Sequence, residues 1–252
     1  MHNRSKSPVP DGRKCVILAW VCGVDVGGME SLSYVAWLDI EKRKFVLDHY
    51  VPLSGSPPVL LPPVPKDLIA NGCVAAYGLD CPQGLPKLGS RHQRRDCDRE
   101  ANTPTRKLPE HLSDPYTGPY ASLIQVGVQL FAAAVSSGHA QLYGDGRQSH
   151  GAKPIIFETY PRKVLKDHFA LGSIPSKRKE PHAYVDKVWK ALKDSGYTCC
   201  GVLRPTVDQV DAMVCAVVAE HVLQKSVREL GEPPIWDAKD RIFREGYIVV
   251  PG

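Results

Sequence analysis

No run of about 20 apolar residues, the length that a membrane-spanning helix requires, occurs in this 252-residue sequence. The first 14 residues are polar and lack the apolar core of a secretory signal, so we expect a disordered tail over residues 1–14. Internal repeats are also lacking, and no linker divides the remainder. These absences argue against a helical membrane protein and predict a single domain over residues 15–252.

The eight cysteines include no CxxC pair, and several of them lie within apolar runs. This usage is typical of reduced, buried thiols rather than of a disulfide framework or a zinc site, so we expect a cytoplasmic protein. The net charge is +5, a mild excess that permits a polyanionic partner without requiring one.

The order of the apolar segments predicts an α/β fold with a mixed sheet of five strands. The first segment is a continuous run rich in β-branched residues, which is typical of a buried central strand. The predicted strands are 15–25, 32–39, 44–51, 73–79 and 154–160. Short turns join the first three into an antiparallel meander, and the fourth is predicted to run parallel to the first.

The segments between and after these strands predict helices and two long loops. Six prolines mark 52–65 as a loop, and the charged, Pro- and Gly-rich stretch 82–119 is predicted to be a basic insertion that covers the site. The predicted helices are 66–71, 120–137, 161–171, 182–194 and 206–230. The final GYIVVPG is expected to add an edge strand or to cover the core.

Four acidic residues end or interrupt apolar segments, where carboxylates are rare unless they are paired or bind metal. Asp25, Asp80 and Glu158 close the first, fourth and fifth strands, and Asp211 lies in the apolar stripe of the last helix. Each one alone could cap a turn or a helix end. Because strand ends converge on the crevice where ligands usually bind, their shared placement predicts one catalytic site.

Asp208 precedes Asp211 by three residues and lies on a neighbouring face of the same predicted helix. It is predicted either to interact with the helix N-terminus or to join the catalytic site. Asp211 shares its stripe with Val214 and Val218, so we expect it to face packed structure rather than water.

A cluster of four carboxylates would either be partly protonated or bind cations. Two carboxylates about 4 Å apart repel by roughly 4 kcal/mol at an effective dielectric constant near 20. Oxygen ligands favour hard ions, so we expect Mg²⁺ or Mn²⁺ bound by Asp25, Asp80, Glu158 and Asp211. A pair of such ions would activate water and stabilise the leaving oxygen of a phosphodiester.

Basic residues are concentrated between Lys87 and Lys107. Arg91, Arg95 and Arg99 recur at four-residue spacing, so on a helix they would share one face and bind substrate phosphates. A solvated charged face is the alternative interpretation. A second basic cluster, Lys177–Lys179, follows a predicted helix.

The chain contains six notable sequence blocks: GVDVGG at 23–28, GLDCPQGLP at 78–86, RRDCDRE at 94–100, FETYP at 157–161, VDQVDAMVCA at 207–216 and EGYIVVP at 245–251. In this order they resemble a prokaryotic domain-of-unknown-function family of predicted ribonuclease H-like nucleases. The resemblance and the order of elements both imply a ribonuclease H-like sheet with helices on both faces. The resemblance further implies a metal-dependent nuclease site that contains the acids named above.

The leading hypothesis is therefore a divalent-metal-dependent nuclease that hydrolyses DNA or RNA. A second hypothesis is an actin- or sugar-kinase-like phosphotransferase, because GVDVGG resembles the first phosphate loop of those folds, which usually have a second, duplicated domain. A third is a catalytically inactive protein that binds nucleic acid through its basic residues.

Overall fold

The structure, a computed structural model, describes residues 19–69, 73–90, 93–104, 107–114, 118, 120–146 and 153–252. Within these residues a nine-stranded mixed sheet forms the centre, with helices packed against it. The strands are β1 Ala19–Asp25, β2 Ser33–Asp39, β3 Lys44–Tyr50, β4 Cys73–Asp80, β5 Gln141–Leu142, β6 Ile155–Glu158, β7 Thr198–Cys199, β8 Val227–Asp237 and β9 Ile242–Pro251. The helices are α1 Lys66–Ile69, α2 Asp96–Ala101, α3 Ala121–Ser136, α4 Pro161–Asp167, α5 Pro181–Asp194 and α6 Val207–Leu223.

The strand order across the sheet is β7-β3-β2-β1-β4-β6-β9-β8, and β5 pairs with β6 outside this path. The segments β1, β2 and β3 pair antiparallel, which confirms the predicted meander. The strand β4 runs parallel to β1, as predicted, and β6 runs parallel to β4. The carboxyl ends of β1, β4 and β6 therefore lie at the same edge of the sheet.

The prediction of five strands is wrong, because the sheet also contains β5, β7, β8 and β9. Two of these strands have only two residues, too few for a periodic pattern to show. The predicted helix 206–230 ends at Leu223, and Lys225 follows it with a positive φ of 56°. The rest of that segment begins β8, an edge strand that contains Pro233 and Pro234, as edge strands can.

Helix α6 packs closely against the centre of the sheet because two glycines face it. A Cβ atom at Gly23 of β1 would lie 2.0 Å from the backbone oxygen of Ala212, and one at Gly78 of β4 would lie 2.7 Å from that of Cys215. Substitution of either glycine would push the helix away. The small residues of α6 thus bring its polar first turn close to the ends of β1 and β4.

Strand alternation separates two cores on opposite faces of the sheet. Val21 of β1 packs in a core with α4, α5 and α6, whereas Cys22 and Val24 pack in a core with α3. Since successive side chains of a strand point to opposite faces, Asp25 lies on the same face as Val21 and Gly23, the face of α6.

The remaining predictions about organisation concern the tail and the loops. The predicted disordered tail, residues 1–14, lies outside the described residues. Residues 51–65 contain neither helix nor strand, which agrees with the predicted Pro-rich loop. Among the described residues, we find no helix whose length and apolar character would allow it to cross a membrane.

Candidate functional site

Asp25 and Asp80 lie side by side at the ends of two parallel strands. The register of β1 and β4 aligns Gly23 with Gly78 and Asp25 with Asp80, so both carboxylates point to the face of α6. Both side chains are partly exposed and line a cavity of about 910 Å³. We call the part of the cavity formed by these two carboxylates its floor. Within the described part of the chain, neither carboxylate makes a hydrogen bond or an ion pair. The predicted convergence of strand-end acids thus occurs for these two residues.

The two carboxylates interact through their charges. Burial raises the pKa of Asp25 well above its usual range, and the negative charge of Asp80 raises it further. Burial also raises the pKa of Asp80 to about 7, although the positive charge of Lys177 acts in the opposite direction. The repulsion within such a pair is relieved either by a proton or by a bound cation.

Asp211 lies beside this pair but has partners of its own. It is fully buried, forms an ion pair with the ammonium group of Lys177, and accepts a hydrogen bond from the hydroxyl group of Tyr184. Burial raises the pKa of Asp211, and the Lys177 charge lowers it. Asp211 thus faces packed structure rather than water, as the apolar stripe of the helix predicted.

Asp208 occupies the first turn of α6 and is exposed at the cavity. The helix N-terminus is capped without it, because Thr206 and Gln209 form a capping box: the Gln209 backbone N–H donates to the Thr206 hydroxyl oxygen over 3.2 Å. The Asp208 side chain is therefore not needed as a cap and is available to a ligand in the cavity. Its negative charge also stabilises the N-terminus of α6 through the helix dipole.

The side chain of Glu158 lies on the opposite face of the sheet from those of Asp25 and Asp80. The register pairs Glu158 of β6 with Leu79 rather than with Asp80, and Leu79 packs in the core of the α3 face. There the buried guanidinium group of Arg95 donates to both oxygens of Glu158, over 2.6 and 2.8 Å. The backbone N–H of Gln83 donates to the same carboxylate over 2.9 Å. Although Glu158 borders the cavity, its oxygens are thus engaged within the protein.

Arg95 is a buried anchor rather than an exposed cation. Besides Glu158, it binds the buried carboxylate of Asp98, with Nε 2.8 Å from Oδ2, and Thr103 donates to that carboxylate over 2.9 Å. These contacts hold the basic insertion against β6. Residues 94–104 therefore pack on the sheet through an internal ion pair.

The predicted arginine-rich helical face is wrong as a structural element, because α2 begins only at Asp96. Arg95 precedes it with extended backbone, and Arg99 pairs with Asp96 and is not among the cavity residues. Arg91 lies outside the described residues. The structure thus brings none of the described pair, Arg95 and Arg99, into the cavity as a free cation.

Four other basic residues line the cavity instead: Arg94, Arg162, Lys177 and Arg178. Helix α4 begins at Pro161, with two residues between it and the end of β6, and its second residue, Arg162, lines the cavity. Lys177 and Arg178 come from the segment between α4 and α5, which the sequence marked only as a basic cluster. Sequence reasoning missed these residues as a group because they are distant in the chain and lie on separate elements.

The acids on the floor fit one hard cation. Mg²⁺ is usually bound by one or two carboxylates, with water and substrate phosphates completing its shell, and Asp25 with Asp80 supplies such a set. No group of three or more His, Cys, Asp or Glu side chains lies close enough to hold a metal ion among the described residues. The predicted four-ligand set, which adds Glu158 and Asp211, therefore stays a prediction.

The raised pKa of Asp80 predicts that Asp80→Asn stabilises the metal-free protein at high pH. With a folded pKa of about 7 and an ordinary unfolded value, Asp80 binds its proton more tightly in the folded state, so its contribution is complete at low pH and is lost as the pH rises towards 7. Relative to wild type, we expect a gain in unfolding free energy on the order of 2 kcal/mol near pH 8 and almost none near pH 4.

Urea unfolding in the presence of a chelator measures this difference at both pH values. The exposed Asp194, whose partner is the exposed Lys190, provides the control substitution Asp194→Asn. An Asp80→Asn variant that is no more stable than wild type near pH 8 would contradict the electrostatic description of the floor.

Comparison with known proteins identifies a family but no better-known relative. A family model described as "Protein of unknown function (DUF429)" matches residues 66–234, more than half of the chain. No curated protein and no solved structure matches the chain. The resemblance of the sequence blocks to a domain-of-unknown-function family is thereby confirmed.

Proposed function

The chain belongs to DUF429, a family of proteins of unknown function, and we propose that it is a nuclease that hydrolyses phosphodiester bonds with Mg²⁺ or Mn²⁺. The observation that carries the proposal is the pair of unengaged carboxylates, Asp25 and Asp80, on the floor of a cavity whose wall carries four basic side chains. The floor attracts a hard cation and the wall attracts a polyanion. A phosphodiester in nucleic acid is a substrate that uses both.

We further propose that the fold is ribonuclease H-like. The support is the antiparallel meander β1–β3, followed by the parallel strands β4 and β6, with α6 packed across the centre. The acids at the ends of β1 and β4 and at the start of α6 lie where the family resemblance implies functional residues. Fold alone does not carry the activity, which rests on the site.

In this proposal each group of residues has a distinct task. Asp25 and Asp80 hold the cation, which when bound supplies a Lewis acid to the scissile phosphate. Asp211 holds Lys177 in the cavity, and Asp208 extends the negative charge towards the entrance. The buried Arg95–Glu158 pair keeps the basic insertion in place beside the floor.

The wall suits an extended nucleic acid strand. Arg94, Arg162 and Arg178 come from three separate segments that line the cavity, and in this proposal they contact phosphates of the bound strand. Tyr120 and Tyr160 line the same cavity, and Tyr120 is 37% exposed. An exposed aromatic ring stacks on any base, which favours binding of single-stranded segments without sequence preference.

Cleavage of labelled oligonucleotides tests the proposed function. We expect wild-type protein to cleave single-stranded DNA or RNA with Mg²⁺ or Mn²⁺ and to lose this activity in chelator. The same preparation is assayed with labelled ATP, since phosphate transfer from ATP without cleavage would favour the phosphotransferase hypothesis. Salt-dependent binding of every oligonucleotide, with no cleavage under any metal condition, would contradict the proposal in favour of a binding protein.

A further inference from the structure

Lys177 reaches the acidic floor from a segment without regular structure between α4 and α5. Its ammonium group pairs with the fully buried carboxylate of Asp211 and lies 5.6 Å from the centre of the Tyr184 ring. The lysine side chain nevertheless remains 36% exposed and lines the cavity with Asp25 and Asp80. The ammonium group therefore contacts the protein, while part of the same side chain is exposed at the cavity.

This arrangement differs from an ordinary structural ion pair. An ammonium group has three donors, and the Asp211 carboxylate does not use them all. Tyr184 holds the other oxygen of Asp211, so the carboxylate is fixed and in turn fixes Lys177. The lysine is thus a positioned positive charge at the edge of the pair formed by Asp25 and Asp80.

The charges of Asp25, Asp80, Asp211 and Lys177, counted without the solvent-exposed Asp208 nearby, balance with a single divalent ion. When ionised, Asp25, Asp80 and Asp211 together carry three negative charges, and Lys177 supplies one positive charge. One divalent cation neutralises the remaining two, whereas two such ions would leave an excess of positive charge beside the lysine. Asp211 can act as an additional metal ligand only if Lys177 leaves it.

We propose that Lys177 is the built-in second cation of this site: it limits the floor to one divalent ion and contacts the scissile phosphate directly. This inference rests on the proposed nuclease function. A lysine is a compact, strongly hydrated point charge, well suited to a phosphate oxygen. The negative charge that develops on the phosphoryl oxygens during cleavage would therefore meet the bound ion on one side and Lys177 on the other.

Calorimetric titration with MnCl₂ tests the first part of the proposal. We expect wild-type protein to bind one Mn²⁺ ion and Lys177→Met, which keeps the length of the side chain without its charge, to bind two. Where Lys177→Met does not fold, Lys177→Gln is titrated instead, because its amide still donates to Asp211. The control Lys179→Met removes an exposed neighbouring charge that does not line the cavity, and it should bind one ion.

Cleavage by the same variants tests the second part. We expect the uncharged variants at Lys177 to cleave about 10²-fold more slowly than wild type, with Lys177→Arg retaining part of the activity. Two ions bound by wild type, or equal stoichiometry in wild type and the uncharged variants, would overturn the proposal. If the stoichiometry changes from one to two but no protein cleaves, the role of Lys177 in limiting the number of bound ions stands, whereas its contact with a scissile phosphate and the nuclease function both fail.

Discussion

Asp25→Asn is expected to abolish metal-dependent cleavage, with a loss of about 10³-fold or more, while the protein remains folded. Asp25 supplies one of the two unengaged carboxylates on the floor, and the amide removes both its charge and one of its oxygens. An interaction of several kcal/mol with the ion and the transition state is lost, and each 1.36 kcal/mol corresponds to about a tenfold change in rate. Initial rates on a labelled oligonucleotide measure the loss.

Two control variants accompany this experiment. Asp194→Asn makes the same substitution at an exposed residue outside the cavity and should leave the rate unchanged. The double variant Asp25→Asn/Asp80→Asn, purified identically, reports any contaminating nuclease. Circular dichroism checks that the fold is retained. Cleavage by Asp25→Asn within tenfold of the wild-type rate, above the double-variant background, would contradict the assignment.

Arg95→Met is expected to be among the most destabilising substitutions in the chain, at a cost of about 3–5 kcal/mol in the free energy of unfolding. The guanidinium group is fully buried and binds the carboxylates of Glu158 and Asp98. Its removal leaves two buried carboxylates without their counter-charge. Urea unfolding followed by circular dichroism measures the cost.

Arg99→Met provides the matched control for Arg95→Met, since it makes the same change four residues later, within α2. The side chain of Arg99 is 43% exposed and pairs with a partly exposed Asp96, so we expect a cost below about 1 kcal/mol. Arg95→Lys keeps the charge but loses the two-pronged geometry and should fall between these variants. Equal stability of Arg95→Met and Arg99→Met would rule out the anchoring role.

The sequence was most informative where a pattern was local. The apolar run ending at Asp25 predicted a buried strand, and the run ending at Asp80 predicted its parallel neighbour. Their shared edge then followed from strand direction, and the register aligns the two acids. The apolar stripe around Asp211 likewise predicted that this carboxylate is packed against structure.

Where the sequence misled, the cause was non-local. Glu158 also ends a strand, but the register places it opposite Leu79, so its side chain turns to the other face and meets Arg95. Spacing alone cannot distinguish a buried arginine from an exposed one, which is why Arg95 was predicted to bind phosphate. Lys177 reaches the floor from an irregular segment, and no periodic pattern reports such a contact.

A crystal structure of the wild-type protein with Mn²⁺, read by anomalous scattering, tests the central claim most directly. The proposal predicts a single anomalous peak coordinated by the carboxylates of Asp25 and Asp80, with Lys177 still paired to Asp211. Absence of a peak at this pair in a saturated crystal, or a peak bound only by other residues, would contradict it.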